Sequence, residues 1–361
     1  MKNKIVLFAA FFAASSLSFA EIALTENLSV GGFVDMSYSH VDDDVDGGSD
    51  SDNSYSLDQV ELTFSLDYGV VSAQIDIEWT DDGGSAIDQA FTTYDLANGF
   101  AVTAGRYDSM LGFEAFEAPG LYQFSTAYTT GTDAFGDEFD AITPGTNNGV
   151  KVTYEDGTQF FGISLQDGGI FGDNRLGGDS AANDSAALAD SLVGTFFFVP
   201  TEVSGYAVEA AYARDLGNGF NVFVGALFEE TELEDGAVEE TLDTTVLNAY
   251  VTYETGPWVF AAEAIQTEHE LSGGANDIEI DSFLVMANYT YSDQASITGR
   301  ISNVDVEDVF DATKLTVAHL YAFTDNLAMA VEVSSVDYDN EGVGGADGDT
   351  LEGAVELLFT F

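Results

Sequence analysis

The chain has 361 residues, no cysteine and a formal net charge of −56. That composition excludes disulfides, thiolate catalysis and Cys-ligated metals, and it disfavours nucleic acid, whose phosphates need Lys and Arg. Acidity of this degree usually accompanies disorder, but 45% of the residues are hydrophobic, with 28 Phe and 16 Tyr, so the chain has the means to fold.

The first twenty residues read as a secretory leader. Lys2 and Lys4 form a short basic region, Ile5 to Ala14 an apolar core, and Ser18-Phe19-Ala20 a small-x-small cleavage site. This pattern predicts a signal peptide over 1–20 and a mature chain over 21–361. With both leader lysines removed, six basic residues face all 64 acidic ones, a mature net charge of −58. No later run is long and apolar enough for a membrane-spanning helix.

The mature chain then repeats one pattern, apolar and polar residues in alternation over segments of strand length. Leu28–His40 places Val34, Met36 and Tyr38 opposite Asp35, Ser37 and Ser39. After an acidic loop expected over Val41–Asn53, the segment Ser54–Tyr68 sets Val60, Leu62, Phe64, Leu66 and Tyr68 against Glu61, Thr63, Ser65 and Asp67. A turn at Gly69 leads into Val70–Thr80, and a weaker strand, Ile87–Leu96, turns at Ala97-Asn98-Gly99 into Phe100–Tyr107. Beyond a long interruption, Gly149–Glu155 and Thr158–Gln166 flank Asp156-Gly157. A second interruption precedes Val203–Arg214, which turns into Phe220–Glu230. Further hairpins follow: Leu242–Glu254 with Trp258–Glu270, Ile278–Tyr291 with Ala295–Val306, and Ala312–Phe323 with Leu327–Tyr338. The last strand ends Leu357-Leu358-Phe359-Thr360-Phe361, with Phe359, Leu357 and Val355 on one face.

About sixteen strands result, with short turns alternating with long acidic loops. An all-β, transmembrane, antiparallel up-and-down β-barrel accounts for this pattern, with short periplasmic turns and long acidic external loops. Its even strand number puts both ends on the periplasmic side, and closure leaves no sheet edge in lipid. Tyr68, Trp79, Tyr253 and Trp258 fall near strand ends, as an interfacial girdle requires. The apolar run Leu192–Val199 has no assigned place; an extra hairpin there would raise the count to eighteen. A soluble acidic β-protein is the competing reading of the same alternation.

A barrel of this size is too wide for side chains to fill, so it encloses water. The segment 108–148 is the candidate constriction. It is too long for a hairpin loop, and its aromatic residues need something to pack against. Its acids are Asp108, Glu114, Glu117, Asp133, Asp137, Glu138 and Asp140. The second long segment, 167–202, is expected to be external or lumenal.

The stretch Gly105-Arg106-Tyr107-Asp108 through Gly112-Phe113-Glu114 to Pro119, then Tyr122 to Tyr128, the strand start Gly149-Val150 and the opening Gly31-Gly32-Phe33-Val34-Asp35 resemble the outer-membrane β-barrel porin family related to OmpL. The resemblance implies a passive channel in the bacterial outer membrane, surrounded by lipid and passing small hydrophilic solutes and ions. General porins further suggest that the segment after the fifth strand constricts the pore, and that the chain is a homotrimer. The C-terminal strand ending on Phe361 resembles the signal that outer-membrane barrels present to their assembly machinery. Unlike many porins, this chain has few basic residues with which to build a wall opposite the loop.

Four of the six are candidates for the pore wall: Arg106, Lys151, Arg300 and Lys314, paired with loop acids or simply neutralising neighbouring carboxylates. Carboxylates lining the pore favour cations, so the expected function is a cation-selective porin. The alternative is a structural or surface-interaction barrel with a plugged lumen and acidic loops that bind partners or divalent ions. Asp42, Asp44 and Asp46 have the spacing that begins a calcium loop, but Asn53 stands where a bidentate Glu is required, so loosely bound Ca or Mg is the expectation and no cofactor is assigned. His40, His269 and His319 lie in no nucleophile or metal motif, so no enzymatic activity is expected.

Overall fold

The computed structural model describes residues 21–45, 48–80, 85–114, 117–128, 142–170, 202–234, 239–272, 277–340 and 347–361. The expected leader over 1–20, the run Leu192–Val199 and the acids Asp133, Asp137, Glu138 and Asp140 lie outside them.

Sixteen long strands make up the wall. They are β1 (Leu28–Val45), β2 (Gly48–Asp67), β3 (Val71–Thr80), β4 (Ser85–Ala97), β5 (Phe100–Asp108), β6 (Thr146–Glu155), β7 (Gln159–Gln166) and β8 (Glu202–Gly217), followed by β9 (Phe220–Glu234), β10 (Glu239–Thr255), β11 (Trp258–Leu271), β12 (Ile278–Ser292), β13 (Ala295–Val306), β14 (Phe310–Thr324), β15 (Leu327–Asn340) and β16 (Gly348–Thr360). Each pairs antiparallel with its neighbours in sequence, and β16 pairs with β1, so the sheet closes. A two-residue strand, Ile22–Ala23, continues the sheet along β1 past the end of β16 by pairing with Val30 and Ser29. Strand β7 pairs directly with β8, from Gln159 opposite Arg214 to Gln166 opposite Ala207, so no further hairpin enters the wall there and the count is sixteen.

The seam is sealed at the C-terminus. Phe361 N–H donates to Gly32 O and Gly32 N–H to Phe361 O, both at 3.0 Å. Gly32 is required here because a Cβ would collide with the carbonyl of Glu61 on β2. At the same end of the barrel the connections are tight. Asn98-Gly99 and Asn218-Gly219 are two-residue turns with positive φ at both positions, the conformation that matches the twist of paired strands.

The two faces of the wall have opposite chemistry. Leu315, Val317, Val331, Val333, Val355 and Phe359 are exposed on the outer face, whereas Arg300, Thr316, Glu332, Ser334 and Glu356 are buried inside. This inversion is what hydrocarbon outside and water inside demand. Among the described residues no helix is long and apolar enough to cross a membrane; the strands do the crossing, with their backbone groups paired around the ring. Aromatic rings gather at the short-turn end, with Phe220 stacked on Tyr253 at 4.1 Å between centroids and Trp258 against Tyr289 at 4.4 Å.

The expectation of long acidic outer loops needs correction at several hairpins. β1 and β2 pair as far as Val45 opposite Gly48, through most of the segment expected as a loop. β9 and β10 pair to Glu234 opposite Glu239, and β13 and β14 are separated only by 307–309. Ladder hydrogen bonds involve only backbone, so strands continue past the membrane edge wherever their side chains can face water, and carboxylates do so readily.

Candidate functional site

Between β5 and β6, residues 109–114, 117–128 and 142–145 lie within the barrel, where a track of inward side chains holds them. Glu209 on β8 accepts from Ser109 Oγ at 2.6 Å and from Met110 N–H at 2.7 Å. Asn248 on β10 accepts from Gly112 N–H at 3.1 Å, and Glu263 on β11 accepts from Phe113 N–H at 2.7 Å and from the Tyr128 hydroxyl at 3.0 Å. Thr298 on β13 donates to Tyr122 O at 2.7 Å. Glu332 on β15 accepts from Phe124 N–H at 2.9 Å and Ser125 N–H at 3.2 Å. On its way back the segment receives a bond from Thr267 on β11 to Ile142 O at 2.8 Å. A loop has no ladder of its own, and these carboxylates and hydroxyls satisfy backbone groups that would otherwise be buried unpaired.

Apolar contacts seat the same segment. Leu111 and Ile142 belong to a buried cluster with Phe160, Phe223, Leu227, Val246 and Ile265, while Phe113 and Tyr122 pack with Leu284 and Met286. Two wall glycines make room for it. A Cβ on Gly162 would strike Met110, and one on Gly225 would strike Leu111.

Arg300 is the centre of the arrangement. Its guanidinium forms an ion pair with Glu114 and donates to Ser125 O at 2.9 Å and Thr126 O at 2.8 Å. Glu114 also accepts from Ala127 N–H at 2.6 Å and Gln123 Nε2 at 2.7 Å. Lys314 Nζ reaches Thr126 O at 3.3 Å. Thus two of the four basic candidates, Arg300 and Lys314, meet the loop. The other two lie near its root: Arg106 Nε donates to Asp88 O at 2.7 Å, and Lys151 sits over the Tyr107 ring, 4.2 Å from its centroid.

Between its contacts with β11 and β13 the loop reaches β2. There Glu117 Oε2 accepts from Gln59 Nε2 at 2.9 Å. Carboxylate oxygens of Glu117, Glu61 on β2 and Asp88 on β4 all lie within 4.8 Å of one another. Burial and the adjacent Glu61 carboxylate push the Glu117 carboxyl well above the usual carboxylate range. Asp108, at the end of β5, accepts from Thr146 Oγ1 at 2.9 Å. A second carboxylate group on the same side joins Asp35, Asp58 and Glu356 across β1, β2 and β16.

Sequence reasoning brought Glu114, Glu117, Arg300 and Lys314 to this segment but missed its supports: Glu209, Glu263 and Glu332, and the wall partners Glu61 and Asp88. The available signal was a glutamate on the polar phase of an apolar strand, as in Val208-Glu209-Ala210 or Ala262-Glu263-Ala264. Asp42 and Asp44 sit in extended β1 rather than in a wrapped loop, and Asp46 lies outside the described residues. The histidines stay apart: His40 is exposed near the outer end of β1, His269 is buried inside on β11 against Thr244, and His319 bonds Tyr291.

A family model described as Gram-negative porin matches residues 5–341. No curated protein matches the chain. Among solved structures the chain is similar to the outer-membrane channel DcaP of Acinetobacter baumannii, with a TM-score of 0.62 at 15% identity, covering 94% of this chain and 99% of that one. It is similar to an anion-selective porin from Comamonas acidovorans, with a TM-score of 0.61 at 15% identity and coverage of 92% and 99%. A trimer form of OmpT, an outer-membrane protein of Vibrio cholerae, gives a TM-score of 0.59 at 11% identity and coverage of 92% and 99%. At these identities the likeness is one of fold.

Proposed function

Because the chain belongs to the Gram-negative porin family and forms a closed outer-membrane barrel, we propose that it is a passive, water-filled channel for small hydrophilic solutes and ions with a preference for cations. The observation that carries the preference is the pairing of acid with acid. Glu117 on the lumenal loop faces Glu61 and Asp88 on the wall, and Asp35, Asp58 and Glu356 continue the carboxylates along it. Arg300 and Lys314, the bases nearest the loop, are engaged with loop carbonyls and Glu114. An ion passing between loop and wall meets the wall carboxylates, and carboxylate rings favour cations; Glu117, whose carboxyl is raised by burial and by Glu61, adds its charge as pH rises.

The loop 109–145 acts as the constriction in this reading. The fold itself does not set selectivity, since the similar barrel from Comamonas acidovorans is an anion-selective porin; the side chains set it. By the same family reasoning the chain assembles as a homotrimer, delivered by the barrel assembly machinery through its C-terminal strand. Nothing in the arrangement of the three histidines supports an enzymatic reading.

The test is the reversal potential of the purified, refolded protein in a planar bilayer under a KCl gradient. Stepwise conductance with K⁺ preferred over Cl⁻ is the expected result. Conductance with Cl⁻ preferred would overturn the electrostatic argument and leave the porin. A folded, heat-modifiable barrel without conductance would instead support a plugged, structural role.

A further inference from the structure

Residues 167–170 begin the long connection from β7 to β8, and they turn inward. Gly169 and Ile170 N–H both donate to Glu229, an inward residue of β9, at 2.8 Å. Asn147 Nδ2 on β6 donates to Gly169 O at 2.6 Å. A Cβ on Gly169 would strike Leu227, and Ile170 packs on the buried lumenal cluster. This connection therefore starts as the one between β5 and β6 does, held to the inner wall by a carboxylate that accepts its backbone N–H groups.

Further round the inner wall the chemistry is unusual. A barrel lumen that holds water is lined by polar side chains, yet at the outer ends of β12–β15 the inward positions are Ile280, Val304, Val306, Ala312, Val336 and Tyr338, all buried. They make one patch: Ile280 lies opposite Val306, Val304 opposite Ala312, and Ala312 opposite Tyr338. Among the described residues the two inward connections bring Met110, Leu111, Tyr128, Ile142 and Ile170 to the cluster that includes this patch. The wall contacts of those five fall on β7–β11, at Gly162, Gly225, Glu263, Thr267 and Glu229. The β12–β15 patch therefore takes apolar cover from another part of the chain.

We propose that the run Leu192–Val199 seats on this patch, which makes the β7–β8 connection a second segment within the lumen. Residues 171–201 lie outside the described residues; their sequence and their two ends carry the placement. The run has no strand to join, because β7 pairs directly with β8. Leu192, Val193, Phe196, Phe197, Phe198 and Val199 give it large apolar side chains, and it holds no charge, the composition of a buried segment. The competing segment, 129–141, carries Asp133, Asp137, Glu138 and Asp140, and carboxylates are costly to bury on an apolar wall. On the outer face at the same height, Glu268, Asp281 and Asp305 are exposed and offer no apolar seat.

The reach is sufficient. At about 3.3 Å per residue, Phe196 extends up to about 20 Å and Leu192 up to about 33 Å from Glu202 at the head of β8. A sixteen-stranded barrel is about 30 Å across, from its strand spacing and tilt, and the side chains on both sides shorten the gap. The placement does not rest on the channel reading, because proximity can be measured without conductance.

The chain has no cysteine, so introduced pairs report proximity without background. V306C is combined in the full chain with L192C, V193C, F196C, F197C or F198C, and separately with F135C or F139C. Each protein is refolded in detergent, heat-modifiable migration confirms the barrel, and a mild oxidant is added. A disulfide forms where the Cα atoms come within about 4.4–6.8 Å, and it shifts the migration of the denatured chain. V306C should cross-link to at least one cysteine of the run and to neither F135C nor F139C. In a chain carrying V306C alone, a hydrophilic maleimide should label the thiol faster once 192–199 is replaced by an equal length of Gly and Ser. Failure of all five run pairs to cross-link would overturn the placement, as would cross-linking to F135C or F139C instead, or labelling at the same rate with and without the run. Planar-bilayer records separate this placement from the channel reading. Cross-links from the run in a barrel that does not conduct would sink the channel and leave the second lumenal segment; in a conducting barrel, replacing the run should raise the conductance.

Discussion

Replacing Arg300 with alanine should release the lumenal loop while leaving the barrel closed. Arg300 is 2% exposed and donates to Glu114, to Ser125 O and Oγ, to Thr126 O and to Thr316 Oγ1. Removing it leaves the largely buried Glu114 carboxylate of the loop without its ion-pair partner, leaves Ser125 O without its donor, and leaves Thr126 O with only Lys314 Nζ at 3.3 Å. Breaking a buried pair from one side costs about 3–5 kcal/mol. That cost falls on loop docking, because the β13 ladder uses only backbone groups and survives the substitution. Taking the lower figure, about 3 kcal/mol corresponds to roughly a hundredfold or more in the docking equilibrium.

Hydrogen exchange in detergent measures this directly. The Ala127 amide, bonded to Glu114 at 2.6 Å, and the Phe124 amide, bonded to Glu332 at 2.9 Å, should exchange about a hundred times faster in R300A, while amides of β13 keep their protection. Single-channel records should become noisier as the loop samples undocked positions. Unchanged exchange at Ala127 would refute the claim that Arg300 holds the loop. Equal acceleration in the strands would show that the residue supports the wall instead.

Further outcomes follow from the same geometry. Valine in place of Gly225 would strike Leu111, so G225V should displace the start of the loop at a cost of about 1–3 kcal/mol, seen as faster exchange at Met110 with the strand still paired. Valine in place of Gly32 would meet the Glu61 carbonyl at the seam, so G32V should lower the temperature at which the heat-modifiable form is lost. The Glu117 carboxyl is raised by burial and by Glu61, so in the docked loop it holds its proton more tightly than in a free chain. Its contribution to docking is therefore full at low pH and is lost as pH rises through the raised value, while its charge appears over the same interval. In KCl, K⁺ preference in reversal-potential measurements should climb as pH rises through about 10 in wild type, and E117Q should lack that component.

The wall was legible in the sequence because each strand carries its own two-residue period. Val60 to Leu66 against Glu61 to Ser65 states which face is wet without reference to any other strand. Turns such as Asn218-Gly219 are equally local. The outer ends of the strands were misread because acidic composition resembles a loop, whereas pairing in β1 and β2 depends on backbone geometry that carboxylates do not disturb. Arg300 could be placed in water from its position between Gly299 and Ile301, and the lumenal segment could be recognised from its length and aromatic content. Its track could not be read, because the contacts join Phe113 to Glu263 and Phe124 to Glu332, and nothing local records a pairing across so many strands. The meeting of Glu61, Asp88 and Glu117 is hidden for the same reason.

The carboxylates of the lumen consequently do different work, and the net charge alone misstates the field in the pore. Glu209, Glu263 and Glu332 each accept loop backbone N–H groups, and Glu229 on β9 accepts from Gly169 and Ile170 N–H at 2.8 Å. These acids are covered by the segments they hold, and the oriented amide dipoles oppose their charge. They fix where the constriction lies. Glu61, Asp88 and Glu117, with the Asp35, Asp58 and Glu356 group, sit on the β1–β4 wall and the loop beside it, and in the proposed channel they are the groups that bias ion passage. Neutralising an anchor such as Glu263 should therefore move the loop, changing conductance and noise. Neutralising Glu61 should change selectivity with less effect on conductance. A channel whose selectivity followed total charge, whichever of these groups was altered, would be one in which this division does not hold.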